Sequence, residues 1–281
     1  MKKNRSLHIL LTNDDGHQAP GIQTLLRVLK KAGHHVSMVA PSEEQSATGM
    51  SVTSRRNLAL EQLEKSYWHL DGQPADTVLV ALRHLLEDNP PDLVVCGINF
   101  GPNLGIGLHM SGTMGAALMA TMCGIPSIAV SAGMRFDEIE HAPLRFPSTY
   151  EAFEPTAEFI CSVIDSLQDS MGEDRLLLPK DTLLNINYPA LPKDEVKGIL
   201  HVEVSNGHVI ELGYERCADT GHVIPSYHAG VDPEQPHKEA GDIRAHMEGY
   251  ITISAIKPNW NAPSEEAEKL ASRMGKLKPG V

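Results

Sequence analysis

Leu7-His8-Ile9-Leu10-Leu11-Thr12-Asn13-Asp14-Asp15-Gly16 is the stretch on which the fold turns. It begins as an apolar run of strand length and ends in two adjacent carboxylates and a glycine. An apolar run bounded by a turn signal reads as a buried strand of a parallel sheet. Open α/β sheets place their ligand sites just past the carboxyl ends of their strands. Asp14 and Asp15 therefore stand where such a fold does its chemistry. Two carboxylates held together repel, so one tends to keep a proton unless a cation joins them. A hard divalent metal is the simplest such cation. Asp-Asp-Gly also has a plainer reading, as a turn in which Asp favours the bend and Gly supplies a positive φ.

Outward from this stretch, strand and helix alternate. Ile22, Leu25, Leu26 and Leu29 recur at helical spacing, with Arg27, Lys30 and Lys31 suiting the helix end and Gly33 the stop. Val36–Ala40 reads as a second strand, parallel to the first, and Pro41 closes it. The polar stretch 41–57 leaves the same sheet edge as Asp14, and reads as a functional loop or a plain surface loop. Tyr67–Leu70 is a short strand, and Gln73-Pro74-Ala75-Asp76 opens a helix carrying Val78, Leu79, Leu82, Leu85 and Leu86. Asp92–Cys96 is a buried strand running into Gly97–Gly107, whose four glycines mark an irregular loop that approaches something closely. Ser111-Gly112-Thr113 then opens a helix, with Ser111 as N-cap. The free amides there suit a phosphate, although ordinary capping explains the same residues. Gly124–Ser131 returns as a strand, 150–168 forms an amphipathic helix, and Leu183–Tyr188 is another strand.

Beyond 198 the character changes to short strand-like pieces, scattered histidines and a Gly/Pro/His-rich stretch at 219–241. This reads as a smaller β-rich appendage, with a hairpin that reaches toward a partner subunit. Gly249–Ile256 is a strand and 263–276 a final helix.

The bulk numbers narrow the function. A chain of 281 residues holds one large α/β domain, or a domain with a substantial appendage, and 41% hydrophobic residues supply its core. Aromatics at 5% argue against a base-stacking nucleic-acid platform. A net charge of −12 with no long basic run argues against a polyanion binder. A small anionic substrate then needs local positive charge, which a metal and helix N-termini can supply. Cys96, Cys123, Cys161 and Cys217 form no CxxC pattern, so structural zinc and a disulfide framework are not expected. Cys96 and Cys123 read as buried thiols. The apolar run after the basic start is too short for a signal peptide, and no run of 18 apolar residues occurs, so a cytoplasmic protein without a membrane span is expected.

Three segments thus converge on one sheet edge. They offer Asp14 and Asp15, Ser46, and Asn99: two carboxylates, a hydroxyl and an amide oxygen. Oxygen donors of this kind suit Mg²⁺ or Mn²⁺.

Asn13-Asp14-Asp15-Gly16, Ala19-Pro20-Gly21-Ile22, Ala40-Pro41, Ser46-Ala47-Thr48-Gly49, Gly72-Gln73-Pro74-Ala75-Asp76, Gly97-Ile98-Asn99-Phe100-Gly101-Pro102-Asn103-Leu104-Gly105 and Ser111-Gly112-Thr113 occur in this order. With Gly124-Ile125-Pro126-Ser127 and Gly249-Tyr250-Ile251-Thr252-Ile253, the series resembles the survival protein SurE family of metal-dependent 5′/3′-nucleotidases. The resemblance spans nearly the whole chain. It implies an α/β fold with a Rossmann-like three-layer core and mainly parallel sheet over 1–195, and a C-terminal β-rich extension over 196–281 that helps build a homodimer or homotetramer. It implies hydrolysis of nucleoside 5′- and 3′-monophosphates with one Mg²⁺ or Mn²⁺ per subunit, held by Asp14, Asp15, Ser46 and Asn99. Asp14 and Asp15 are then the catalytic pair. Ser111, Gly112 and Thr113 would bind the substrate phosphate, and Asn103 would serve the substrate as well.

The chain departs from the family pattern at several places. Met50 stands where His is frequent, Ile106 and Gly107 where an acidic residue follows, Met110 where Tyr precedes Ser-Gly-Thr, Met119-Ala120 where Glu-Gly is usual, and Ser254-Ala255 in place of Thr-Pro. The expected chemistry is in-line attack by a water on the phosphate, in preference to a phospho-Asp14, because Asp-x-Asp is absent. His17 and His109 are candidate proton donors to the leaving group. Two other functions remain open at this level: a zinc-dependent deacetylase, and a non-catalytic nucleotide-binding regulatory module. Neither a nucleic-acid polymer nor a membrane is an expected partner.

Overall fold

A computed structural model provides the architecture; the structure describes residues 5–135, 138, 146–217, 220–232, 234–259, 261 and 263–274. The strands are β1 (His8–Thr12), β2 (His35–Pro41), β3 (Leu60–Glu64), β4 (Tyr67–Leu70), β5 (Leu93–Phe100), β6 (Ser127–Ala132), β7 (Leu183–Tyr188), β8 (Ile199–His201), β9 (Ile210–Arg216), β10 (Val223–Ala229) and β11 (Ile251–Ile256). The helices are α1 (Pro20–Lys31), α2 (Pro74–Val80), α3 (Gly112–Met122), α4 (Pro147–Asp169), α5 (Gly241–Met247) and α6 (Ser264–Met274). Residues 275 and 276, at the end of the expected last helix, lie outside the described residues.

Nine strands form one sheet in the order β3-β4-β2-β1-β5-β6-β7-β11-β8. Its central strands are parallel; β3 runs antiparallel to β4, and β11 to β7. The side chains of β1 show why the run Ile9-Leu10-Leu11 is apolar throughout. Ile9 and Leu11 pack with α1 and α4 through Ile22, Leu25, Leu29, Phe153 and Ile160. Leu10 faces the other way, among Val78, Met114, Ala117 and Ala120 of α2 and α3. Both faces are covered, so the middle of the strand is apolar, and the buried Thr12 at its end is hydrogen-bonded to Thr77.

From β1 the chain goes to β2 on one side, then returns to β5 on the other. The crevice between the carboxyl ends of β1 and β5 is therefore the topological switch point, the usual ligand position in this architecture.

Several expectations need adjusting. β5 continues to Phe100, so the loop expected from Gly97 begins later, after a register shift between Cys96 and Asn99 against β6. Pro41 lies inside β2, as its last residue. Leu60–Glu64 was not foreseen as a strand, because an exposed, charged edge strand carries no apolar alternation. Cys123 is only partly buried, because it caps the end of α3; Cys96 is fully buried.

Beyond residue 198, β8 and β11 complete the main sheet, while β9 and β10 form a separate antiparallel hairpin. Tyr214, Val223 and Ile224 on that hairpin are exposed, and α6 buries no residue. Among the described residues no helix is long and apolar enough to cross a membrane.

Candidate active site

The turn after β1 is shaped by Asn13, whose Nδ2 donates to the carbonyl of Gly16 at 2.8 Å. Asp14 follows, 3% exposed, and its main-chain oxygen accepts from the amide of Gln45 at 2.7 Å. Its carboxylate is gripped by one residue. Thr113 donates its amide to Oδ2 at 3.0 Å and its hydroxyl to Oδ1 at 2.5 Å. The N-terminus of α3 thus directs a free amide and its positive end at Asp14. This approach requires Gly112: a Cβ there would lie 2.8 Å from the Asp14 Cβ and 2.9 Å from its Oδ2.

Asp15 is held from the other side, its Oδ2 accepting from the amide of Phe100 at 3.1 Å. Burial raises the Asp14 carboxyl above the usual range, against the pull of the Thr113 hydrogen bonds, and Glu44 adds to the rise. Burial pushes Asp15 well above that range, with the charges of Asp14 and Glu44 adding to it. Among the described residues, no cationic side chain is among the causes that shift either carboxyl.

Asn99 lies at the end of β5. Its Nδ2 donates to the Gly101 carbonyl at 2.7 Å, which turns Oδ1 toward the Thr113 hydroxyl, 3.2 Å away. Asp14, Asn99 and Thr113 therefore meet at one point, with Asp15 adjacent. Ser46 comes from the loop after β2, and its hydroxyl donates to Oε1 of Glu44 at 3.0 Å.

Asp14, Asp15, Ser46 and Asn99 line one cavity of about 550 Å³. Asp14, Asp15, Glu44, Ser46, Asn99 and Ser111 form its polar end. Phe100, Phe146, Tyr150 and Phe153 form an aromatic wall, with Phe100 and Tyr150 edge to face at 5.1 Å, and the hairpin adds Leu212 and Tyr227. Among the described residues the lining includes no Lys, Arg or His.

The remaining sequence candidates occupy different places. Ser111 caps α3, its hydroxyl accepting from the amide of Met114 at 3.1 Å, and it lines the cavity. Thr113 spends its amide and hydroxyl on Asp14. Asn103 lines the cavity but is anchored from behind by β6 and β7. His17 stacks on His69 with ring centroids 4.6 Å apart and does not line the cavity. His109 lines a second, smaller space beyond Ser111, with Met50 and Met114.

Glu44 and the support from Asn185 and Asn187 escaped the sequence reading. Glu44 had one available signal, a carboxylate two residues before Ser46 in a loop at the same sheet edge. The two asparagines had none, because their role depends on a loop 82 and 84 residues away.

Among the described residues no group of three or more His, Cys, Asp or Glu side chains is placed to hold a metal. The donors at the switch point are instead mixed: two carboxylates, an amide oxygen and a hydroxyl. That set fits a hard, oxygen-preferring divalent ion and does not fit a thiolate or imidazole metal site.

Comparison with known proteins gives a consistent result. The family profile described as Survival protein SurE matches residues 9–211. A protein named 5′-nucleotidase SurE from Erythrobacter litoralis is 38% identical over 257 residues, covering 89% of this chain and 93% of the relative. One of the same name from Gloeobacter violaceus is 37% identical over 264 residues, covering 89% and 90%. The crystal structure of a SurE protein from Aquifex aeolicus superposes with a TM-score of 0.74 at 29% identity, covering 96% of this chain and all of the other.

Proposed function

The chain belongs to the survival protein SurE family, and on that premise we propose that it is a metal-dependent phosphomonoesterase. Its substrates are nucleoside 5′-monophosphates, with 3′-monophosphates as further substrates. The observation that carries this reading is a buried carboxylate pair at the switch point, opening on a cavity whose described lining has no basic side chain. Three carboxylates alone would repel a phosphate dianion. The site therefore makes chemical sense only with a cation in it.

Asp14, Asp15 and Asn99, with Ser46 from the facing loop, would hold one Mg²⁺ or Mn²⁺. When bound, the ion supplies the positive charge that a phosphate dianion needs there and makes water a competent nucleophile. The protein's own residues do the rest. Thr113 fixes the Asp14 carboxylate through two hydrogen bonds, and the Phe100 amide fixes that of Asp15. Ser111 brings the positive end of α3 to the cavity, where it favours the phosphate oxygens. The wall of Phe100, Phe146 and Tyr150 covers the apolar face of the nucleoside and keeps bulk water from it. A metal also makes a strong protein base unnecessary, in keeping with the absence of histidine from the described lining.

The exposed hairpin and the unburied α6 are the surfaces on which we place assembly into a homodimer or homotetramer. We place the protein in the cytoplasm, on the unpaired thiols of Cys96, Cys123 and Cys161.

The test is phosphate release from a panel of 5′- and 3′-nucleoside monophosphates and an aryl phosphate, with Mn²⁺, Mg²⁺ or a chelator. Metal-dependent release, fastest from nucleoside 5′-monophosphates, is the expected result. Release that persists in chelator, or no release from any of them with metal bound, overturns the reading.

A further inference from the structure

β7 carries two asparagines at positions where a sheet covered on both faces would ordinarily place Val or Ile. Asn185 is 1% exposed and Asn187 is fully buried, as is Ser131 on the neighbouring β6. Burying such groups costs free energy unless they are hydrogen-bonded. Their hydrogen bonds converge on one residue of the glycine-rich loop, Asn103.

Asn187 binds the Asn103 peptide group in two directions. Its Oδ1 accepts from the Asn103 amide at 2.7 Å, and its Nδ2 donates to the Asn103 carbonyl at 2.9 Å. A primary amide is a side chain with a donor and an acceptor spaced to do this. Asn185 donates its Nδ2 to the same carbonyl at 3.0 Å, so that oxygen takes two donors. Ser131 accepts from the Asn103 side-chain Nδ2 at 2.9 Å. Four hydrogen bonds from two strands thus fix one loop residue.

The loop carries the fixed position back to the carboxylates. Two residues before Asn103, the Gly101 amide donates to the Ala132 carbonyl at 3.1 Å, and its own carbonyl takes the Nδ2 of Asn99. That bond aims Asn99 Oδ1 at the Thr113 hydroxyl, which also holds Asp14. The adjoining amide, of Phe100, holds Asp15.

We propose that Asn187, with Asn185 and Ser131, is a positioning residue for the reaction: it docks the Asn103 peptide and so sets where Asn99 and the Phe100 amide stand against the Asp14–Asp15 pair. The inference rests on the metal-dependent reading above.

The experiment compares the full-length wild type with Asn187→Ala, Asn185→Ala and Ser131→Ala. Mn²⁺ affinity is read by electron paramagnetic resonance, kcat and KM on a nucleoside 5′-monophosphate, and folding by circular dichroism and Tm. In Asn187→Ala, Mn²⁺ affinity or kcat falls roughly 10- to 100-fold, the usual range for removing a partner that orients a metal ligand. KM changes less, because the nucleoside wall is untouched. Asn185→Ala and Ser131→Ala each remove one of the four bonds and show smaller losses of the same kind.

A merely structural role lowers Tm and leaves the Mn²⁺ affinity and kcat of the folded protein unchanged; that result overturns the proposal. If Asn187→Ala does not fold, the two milder variants decide by the same criterion. A wild type that binds Mn²⁺ but releases no phosphate refutes the proposed activity, and the Mn²⁺ affinities of the variants still judge the positioning role.

Discussion

Asp14 shows how much a single side chain can depend on its neighbours' backbone. Its carboxylate takes both the amide and the hydroxyl of Thr113, and this closeness exists because Gly112 has no side chain. Gly112→Ala would place a Cβ 2.8 Å from the Asp14 Cβ and 3.1 Å from the Gln45 carbonyl, neither of which can yield cheaply. The prediction is a folded protein whose kcat is lower by roughly 100-fold, in line with a misplacement of about 1 Å at a catalytic centre. Steady-state kinetics beside circular dichroism checks it; wild-type kcat in the variant would show that the Asp14–Thr113 contact does not matter. At this scale the sequence was only partly legible. Asp14, Asp15 and Asn99 stand out as oxygen donors after strands. That Thr113 serves Asp14 could not be seen, because capping and phosphate binding use the same residues.

At the scale of elements, most of the architecture could be read directly. Ile9–Leu11 and Leu93–Cys96 are continuous apolar runs, and the cores on the two faces of the sheet are the reason. The helix with Ile22, Leu25, Leu26 and Leu29 at helical spacing buries those four residues. The misses share a cause, since each element lacks the pattern that burial imposes. β3 is an exposed edge of Leu-Glu-Gln-Leu-Glu, and Gly97–Phe100 has loop composition yet continues β5, with Asn99 and Phe100 paired to β6. Asn185 and Asn187 were read as part of a strand, and no local signal revealed that they serve a loop rather than the sheet. The hairpin of β9 and β10 was foreseen from composition, and it exposes Tyr214 and Val223.

At the scale of the whole molecule, one buried group makes stability sensitive to pH. His246 on α5 is 3% exposed, its Nδ1 has no hydrogen-bond partner among the described residues, and burial lowers its pKa from 6.5 to about 4. The unfolded chain therefore takes up a proton at higher pH than the folded one. This group costs no stability above about pH 6.5, and stability falls as pH drops from there toward 4, by about 3 kcal/mol at the lower limit. Urea unfolding at pH 7.5 and pH 5 checks it: the wild type loses more than His246→Gln, and equal losses in both proteins would remove His246 as the cause.

On the function we propose, the carboxylate pair at the β1–β5 switch point makes this chain a metal-dependent phosphomonoesterase. The most direct measurement is phosphate release from a nucleoside 5′-monophosphate as Mn²⁺ is titrated, for the wild type and for Asp14→Asn. The expected result is release that rises and saturates with Mn²⁺ in the wild type and is lost in a folded Asp14→Asn. Equal release from both proteins, or release indifferent to Mn²⁺, would contradict it.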